Sequence, residues 1–82
     1  MVTDKDELRN LAANLLMALR AKEWTQEDLE AASGVPQATI SNLLRAKYDP
    51  SFSVVSRLAK ALRRSMDDLA SPPPRKKLRN AS

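Results

Sequence analysis

Side chains that can recognise a hydrogen-bonding pattern are concentrated between positions 36 and 46. At about 100° per residue, a helix placed there carries these residues on or beside one face: Gln37, Ala38, Thr39, Ser41, Asn42 and Arg45. Their amide, hydroxyl and guanidinium groups suit hydrogen bonds to base edges and phosphates. Residues 31 to 48 contain no acid, so no carboxylate there repels a polyanion. The chemistry available is recognition rather than bond breaking.

The residue types needed for most catalytic and metal-dependent chemistry are missing. The chain has no Cys and no His, which excludes disulfides, thiolate ligands, the usual zinc sites and imidazole bases. No acid–base pair converges in the pattern, and no nucleophile has an activating base. We expect a protein that is not an enzyme and that needs no metal or cofactor.

No part of the sequence resembles a targeting or membrane-spanning segment. The longest apolar run covers residues 15 to 19, far short of the roughly 20 residues that cross a bilayer. No signal-peptide pattern opens the chain. We expect an intracellular protein without membrane association.

The charge is distributed unevenly along the 82 residues, which are enough for one domain. Residues 1 to 41 hold four bases and seven acids, whereas residues 42 to 82 hold ten bases and three acids. The halves carry −3 and +7 within a net charge of +4. This asymmetry suggests a polyanionic partner, although a solvated surface can be equally basic.

The spacing of apolar residues predicts an all-α fold of five helices over residues 4 to 71. A single Gly and three aromatic residues agree with helix rather than sheet. Helix 1 is predicted from Asp4 to about Ala21. Its core face consists of Leu8, Leu11, Ala12, Leu15, Ala18 and Leu19.

Helix 2 has clear start and stop signals. Thr25 and Asp28 form a capping box, and Trp24 is placed to pack on Leu29 as a hydrophobic staple. Gly34 supplies a left-handed terminus about two turns later. Helix 2 is therefore short and is followed by a tight turn.

Helix 3 is predicted to start at Pro36, to end near Arg45 or Ala46, and to be closed by the Asp49–Pro50 pair. Its inner face consists of Pro36, Ile40, Leu43 and Leu44. Two short helices joined by a Gly turn, the second with a small polar outer face, fit a major groove about 12 Å wide.

Ser51 is the predicted cap of helix 4, whose buried face consists of Val54, Val55, Leu58, Ala59, Ala61 and Leu62. Its outer face is basic and carries Arg57, Lys60 and Arg64. Ser65 and Asp68 form a second capping box, which begins a fifth helix that adds Met66 and Leu69 to the core.

Two further sets of residues lie at the margins of the helices. We interpret Trp24, Tyr48 and Phe52, at helix boundaries, as core or staple residues. Residues 72 to 82 begin with three prolines and continue with four bases, which predicts a flexible basic tail. A DNA-binding arm, a nuclear-import-like patch and a linker to a further domain remain open for this tail.

Four segments together resemble the Cro/repressor-type helix-turn-helix family, also described as Xre-like or lambda-repressor-like. They are residues 25 to 29 (TQEDL), 33 to 35 (SGV), 38 to 43 (ATISNL) and 49 to 51 (DPS). The resemblance covers roughly residues 8 to 70. It is specific because it combines Gln after Thr, Gly at the turn, Ile and Leu three apart, and a Pro-Ser start to helix 4.

The resemblance implies a sequence-specific DNA-binding transcriptional repressor, bacterial or phage-encoded and cytoplasmic. A homodimer would set helix 3 of each copy in the major groove of a pseudo-palindromic operator. By position, the base-contacting residues are Gln37, Ala38, Ser41 and Asn42. The residues expected to contact the backbone or flanking bases are Gln26, Thr39, Arg45 and Lys47.

Three positions depart from the family's pattern. Glu30 replaces a small residue between helices 2 and 3, Leu44 replaces a residue that is commonly Glu, and Ala46 replaces the Gly that often ends helix 3. The first bears on the angle between the two helices and the last on the length of helix 3. None of the three lies on the proposed reading face.

A second hypothesis keeps the fold and assigns it to protein binding, as an antitoxin or adaptor for which DNA contact is secondary. Leu16 and Met17 on helix 1 lie away from its core face, and single exposed apolar residues of this kind can mark a partner surface. The basic tail is the other segment that supports this hypothesis.

Overall fold

The computed structural model describes residues 5–73, which form five α-helices and no β-strand. The helices are α1 (Lys5–Lys22), α2 (Gln26–Ser33), α3 (Gln37–Leu44), α4 (Phe52–Leu62) and α5 (Met66–Ala70). The predicted all-α, five-helix fold is confirmed. The predicted basic tail lies outside the described residues, apart from Pro72 and Pro73. No helix within residues 5–73 is long and apolar enough to cross a membrane.

A single apolar core lies where the helices meet. It consists of Leu11, Leu15, Ala18, Leu19, Leu29, Val35, Ile40, Leu43, Val55, Leu58, Ala59, Leu62 and Leu69. Helix α1 packs against α3 and α5, while α4 packs against α2 and α5. No polar or charged side chain among the described residues is buried. Apolar burial is therefore the main force that holds the helices together.

The predicted start signals form hydrogen bonds. The Thr25 hydroxyl accepts from the backbone N–H of Asp28 at 3.1 Å, and the Asp28 carboxylate accepts from the backbone N–H of Thr25 at 2.8 Å. Ser65 and Asp68 make the same reciprocal pair at the start of α5. Ser51 caps α4 with its side chain. Each cap satisfies N–H groups that a helix leaves unpaired at its first turn.

Three helices end on a non-glycine residue in the left-handed conformation: Glu23, Ala46 and Arg63, with φ of 58°, 57° and 57°. After α3, the N–H of Lys47 donates to the carbonyl of Asn42 at 2.9 Å, which is the long bond of a Schellman motif. Ala46 thus takes the conformation that Gly favours, and α3 is not lengthened. Helix ends of this kind are missed in the sequence, because the usual signal for a left-handed helix end is a glycine.

The predicted inward position of Pro36 is wrong. Pro36 precedes α3, with φ −57° and ψ 144°, and it is exposed. Val35, which is 1% exposed, fills the core beside α3 instead.

The interpretation of Tyr48 and Phe52 as core residues is also wrong, since their side chains are 36% and 64% exposed. Pro50, which lies between them in the sequence, is fully buried. Trp24 is half-buried and packs against the core, with the Lys22 ammonium 5.1 Å from its ring centroid. The staple interpretation holds for Trp24 alone.

The predicted position of Arg64 on the outer face of α4 is wrong as well. The helix ends at Leu62, and Arg63 is left-handed, so Arg64 lies in the connection to α5. Of the two other family departures, Glu30 is exposed and Leu44 is half-buried against the core. Neither keeps α2 from packing against α3.

Candidate nucleic-acid interface

The turn between α2 and α3 is fixed by a serine and a glycine. Gly34 is left-handed, with φ 78°, and its N–H donates to the carbonyl of Glu30 at 2.8 Å. The Ser33 hydroxyl donates to the carbonyl of Leu29 at 2.6 Å and accepts from the N–H of Val35 at 3.1 Å. One side chain therefore links the last turn of α2 to the residue beyond the glycine. This linkage sets the direction in which α3 leaves.

The inner side of α3 is anchored firmly. Ile40 and Leu43 are completely buried, and Leu44 packs against the core. Because these residues recur three to four apart, the opposite side of α3 faces away from the protein. A helix held this way can insert its outer side into a groove without shifting on its own core.

The four predicted base-contacting residues lie together on the outer side of α3. Gln37, Ala38 and Asn42 are exposed, and Ser41 is half-buried. Counted from Gln37, the other three follow after one, four and five residues, so the set covers two successive turns of one helical face. The structure thus brings together the set that the sequence singles out.

The predicted backbone-contacting residues surround that set. Gln26 is the first residue of α2 and is half-buried, as is Thr39 at the flank of α3. Arg45 and Lys47 are exposed in the turn after α3, on either side of Ala46. Gln26 therefore lies at the start of the α2–α3 unit, and Arg45 and Lys47 lie just beyond its end.

The electrostatics of this surface favour an anion. No acid occurs between residues 31 and 48, while Arg45 and Lys47 are exposed there. Unlike α2, α4 and α5, helix α3 begins without a side-chain cap among the described residues. Its first N–H groups thus lack a side-chain acceptor, at the end of the helix dipole that attracts negative charge.

A second surface carries the residues that motivated the protein-binding hypothesis. Leu16 and Met17 on α1 are 40% and 44% exposed. Met17 borders a shallow groove of about 480 Å³ between α1 and α5, which is also lined by Asn14, Leu69 and Arg64. This groove is separate from the outer side of α3.

A short helix, a glycine turn and a second helix with a polar outer side define a helix-turn-helix protein. A family model described as helix-turn-helix matches residues 15–69, which is more than half of the chain. The chain therefore belongs to the helix-turn-helix family, of the Xre- and lambda-repressor-like type.

Two solved structures are similar over most of the chain. One is the hypothetical transcription factor NHTF from Neisseria, at 27% identity and a TM-score of 0.79, covering 89% of this chain and 85% of that one. The other is the restriction-modification controller protein C.AhdI from Aeromonas hydrophila, at 26% identity and a TM-score of 0.71. The match covers 76% of this chain and 94% of that one. A search of curated proteins gives no significant match. Family and neighbours assign the chain to the DNA-binding transcriptional regulators, a class without enzymatic activity.

Proposed function

We propose that the protein is a sequence-specific repressor that inserts α3 into the major groove of an operator. The observation that carries this proposal is the outer side of α3. It presents Gln37, Ala38, Ser41 and Asn42 outward, opposite the buried Ile40 and Leu43, in a segment without acids. These are the side-chain types that match base edges, held on a rigid element.

Each proposed base-contacting residue has a role that follows from its chemistry. The side-chain amides of Gln37 and Asn42 can each pair with adenine in the bidentate manner, with the amide N–H donating to N7 and the amide oxygen accepting from the N6 amino group. The Ser41 hydroxyl can donate or accept, and the methyl group of Ala38 can contact the methyl group of thymine. An operator half-site rich in A·T pairs is the expected match.

The remaining contacts position the protein rather than read sequence. Gln26 and Thr39 donate to phosphate oxygens near the start of α2 and the flank of α3. Arg45 and Lys47 hold the backbone or flanking bases at the other end. Such contacts supply affinity and register on any sequence.

Repression follows from occupancy. A homodimer on a pseudo-palindromic operator places its two recognition helices about 34 Å apart on one face of the duplex. A promoter overlapped by this site is closed to polymerase by steric exclusion. The bacterial sources of both structural neighbours agree with a cytoplasmic bacterial or phage-encoded regulator.

Selection of bound duplexes from a random-sequence pool tests the proposal, followed by titration of the selected duplex and a scrambled duplex at two salt concentrations. We expect a two-fold-related sequence with a large affinity ratio between the two duplexes. Specific and non-specific binding usually differ by a factor of about 10³ or more. If no sequence is enriched, and the affinity for all duplexes disappears at the higher salt concentration, the proposal is contradicted.

The protein-binding alternative is supported by exposed Leu16 and Met17 and by the groove beside Met17. It predicts a stoichiometric protein partner whose binding is lost in Met17→Glu, while a matched Phe52→Glu variant retains it. DNA selection and partner binding are separate measurements, so each hypothesis can fail alone.

A further inference from the structure

A cleft of about 300 Å³ lies between the start of α1 and the turn that follows α3. Its walls are formed by Lys5, Leu8, Arg9 and Ala46. Leu8 is half-buried and packs against the core, which fixes the side of α1 that faces the turn. The first turns of α1 therefore lie beside the C-terminal end of the proposed recognition helix.

Four basic residues lie on the two segments that form this cleft, and two of them, Lys5 and Arg9, line it. Lys5 and Arg9 are four residues apart on α1, so they share one face with about 6 Å between them along the axis. Arg45 and Lys47 flank Ala46, where the left-handed backbone reverses the chain. All four basic side chains are exposed. Exposed basic side chains thus occur both in the turn that follows α3 and on the first turns of α1.

Within residues 5–73, acidic groups lie near these basic residues but do not line the cleft. Asp6 and Glu7 are exposed on α1, at about 100° and 200° around the helix from Lys5. Asp49 is exposed in the loop beyond Lys47. The described α1 residues that line the cleft are therefore two bases and one leucine.

We propose that Lys5 and Arg9 bind the DNA backbone beyond the bases contacted by α3, and so extend the contacts of Arg45 and Lys47. This inference rests on the proposed function, because it requires α3 to lie in the major groove. Phosphates of one strand repeat about every 3.4 Å along the duplex axis. The Lys5 and Arg9 side chains start about 6 Å apart along α1, so each can reach a different phosphate. Long apolar stems let both side chains extend from the cleft wall while their charges stay in water.

The salt dependence of DNA binding tests this role. Affinity falls as salt rises, and each phosphate contact adds about 0.9 to the steepness of this fall on a log–log plot. The double variant Lys5→Gln/Arg9→Gln should therefore show a slope that is shallower by about 2. The selected and scrambled duplexes should lose affinity by the same factor, because phosphate contacts carry no sequence information. The control pair Arg57→Gln with Lys60→Gln removes equal charge from the exposed side of α4 and should keep the wild-type slope. Circular dichroism verifies that each variant is folded.

Duplex length supplies a second measurement. Removing base pairs beyond those contacted by α3, on the side of Arg45, should weaken the wild type and leave the Lys5→Gln/Arg9→Gln variant unchanged. An unchanged slope in that variant, or an equal fall in both double variants, overturns the inference. So does unchanged DNA binding with loss of binding to poly-glutamate, which would assign the pair to an acidic protein.

The two proposals fail in different ways. A wild type that selects no sequence contradicts the proposed function. If the wild type does select a sequence, and the Lys5→Gln/Arg9→Gln variant has the same affinity and the same salt slope, only the proposed DNA contact of α1 is contradicted.

Discussion

The side-chain amide of Asn14, in the middle of α1, donates to the backbone carbonyls of Leu69 and Ser71, at 2.7 Å each, and of Asp68 at 3.2 Å. The last carbonyls of any helix lack partners within the helix. Helix α5 has only five residues, so a side chain from α1 closes its end. Asn14 thus joins the first and last helices, which are also in apolar contact.

Asn14→Ala should lower the free energy of unfolding by about 1–3 kcal/mol, because it leaves the partly buried carbonyl of Leu69 without this donor. Asn14→Asp has nearly the same shape but replaces the donor with an acceptor, so its loss should be at least as large. Urea denaturation measures both. Asn10→Ala is the control, since the Asn10 side chain on the same helix makes no hydrogen bond among the described residues. Equal losses in Asn10→Ala and Asn14→Ala would show that the bonds contribute nothing.

Ala46→Gly should raise the free energy of unfolding by about 1 kcal/mol. Ala46 has φ 57°, a conformation that costs an L-residue about 1–2 kcal/mol and costs Gly nothing. Ala31→Gly, on the exposed side of α2, is the control and should lower stability by about 1 kcal/mol. Thermal unfolding of both variants gives the comparison. A decrease in both would mean that the left-handed turn after α3 carries no strain.

Ser33→Ala should lower the free energy of unfolding by about 1–2 kcal/mol, because the buried Val35 loses the acceptor for its N–H. The turn that directs α3 would be loosened as well, so affinity for the selected duplex should fall. Ser53→Ala, at an exposed position near the start of α4, should change neither quantity. Urea denaturation and DNA titration of both variants provide the check, and wild-type values for Ser33→Ala would remove the proposed role of its hydroxyl.

Much of this fold could be predicted from local patterns. Apolar residues three and four apart located the buried faces of α1 and α4, and capping boxes at Thr25 and Ser65 located two helix starts within one residue. The outer side of α3 followed from the same periodicity. These features depend on neighbours within a few positions, so the sequence contains the physical cause of each.

Two kinds of feature could not be predicted: contacts between residues far apart in the sequence, and left-handed helix ends formed by residues other than glycine. The partner carbonyls of Asn14 lie 54 to 57 residues along the chain, and no local pattern marks them. Glu23, Ala46 and Arg63 enter the left-handed region because the Schellman bonds outweigh its cost. Nor does any local pattern mark that Pro50 is buried while Phe52, two residues on, is exposed. The cleft that brings Lys5 and Arg9 to Ala46 also arises only in the folded chain.

Asn42→Ala and Lys47→Gln should separate base reading from backbone contact. Asn42 is exposed on the outer side of α3, so its loss should weaken the selected duplex by about 1–3 kcal/mol and the scrambled duplex very little. Lys47 lies beyond the end of α3, so its neutralisation should weaken both duplexes equally and lower the salt slope by about 1. Titrations of both duplexes at several salt concentrations measure these effects. If Asn42→Ala also lost affinity equally on both, α3 would contact DNA without reading it, and the specificity would have to come from another part of the chain.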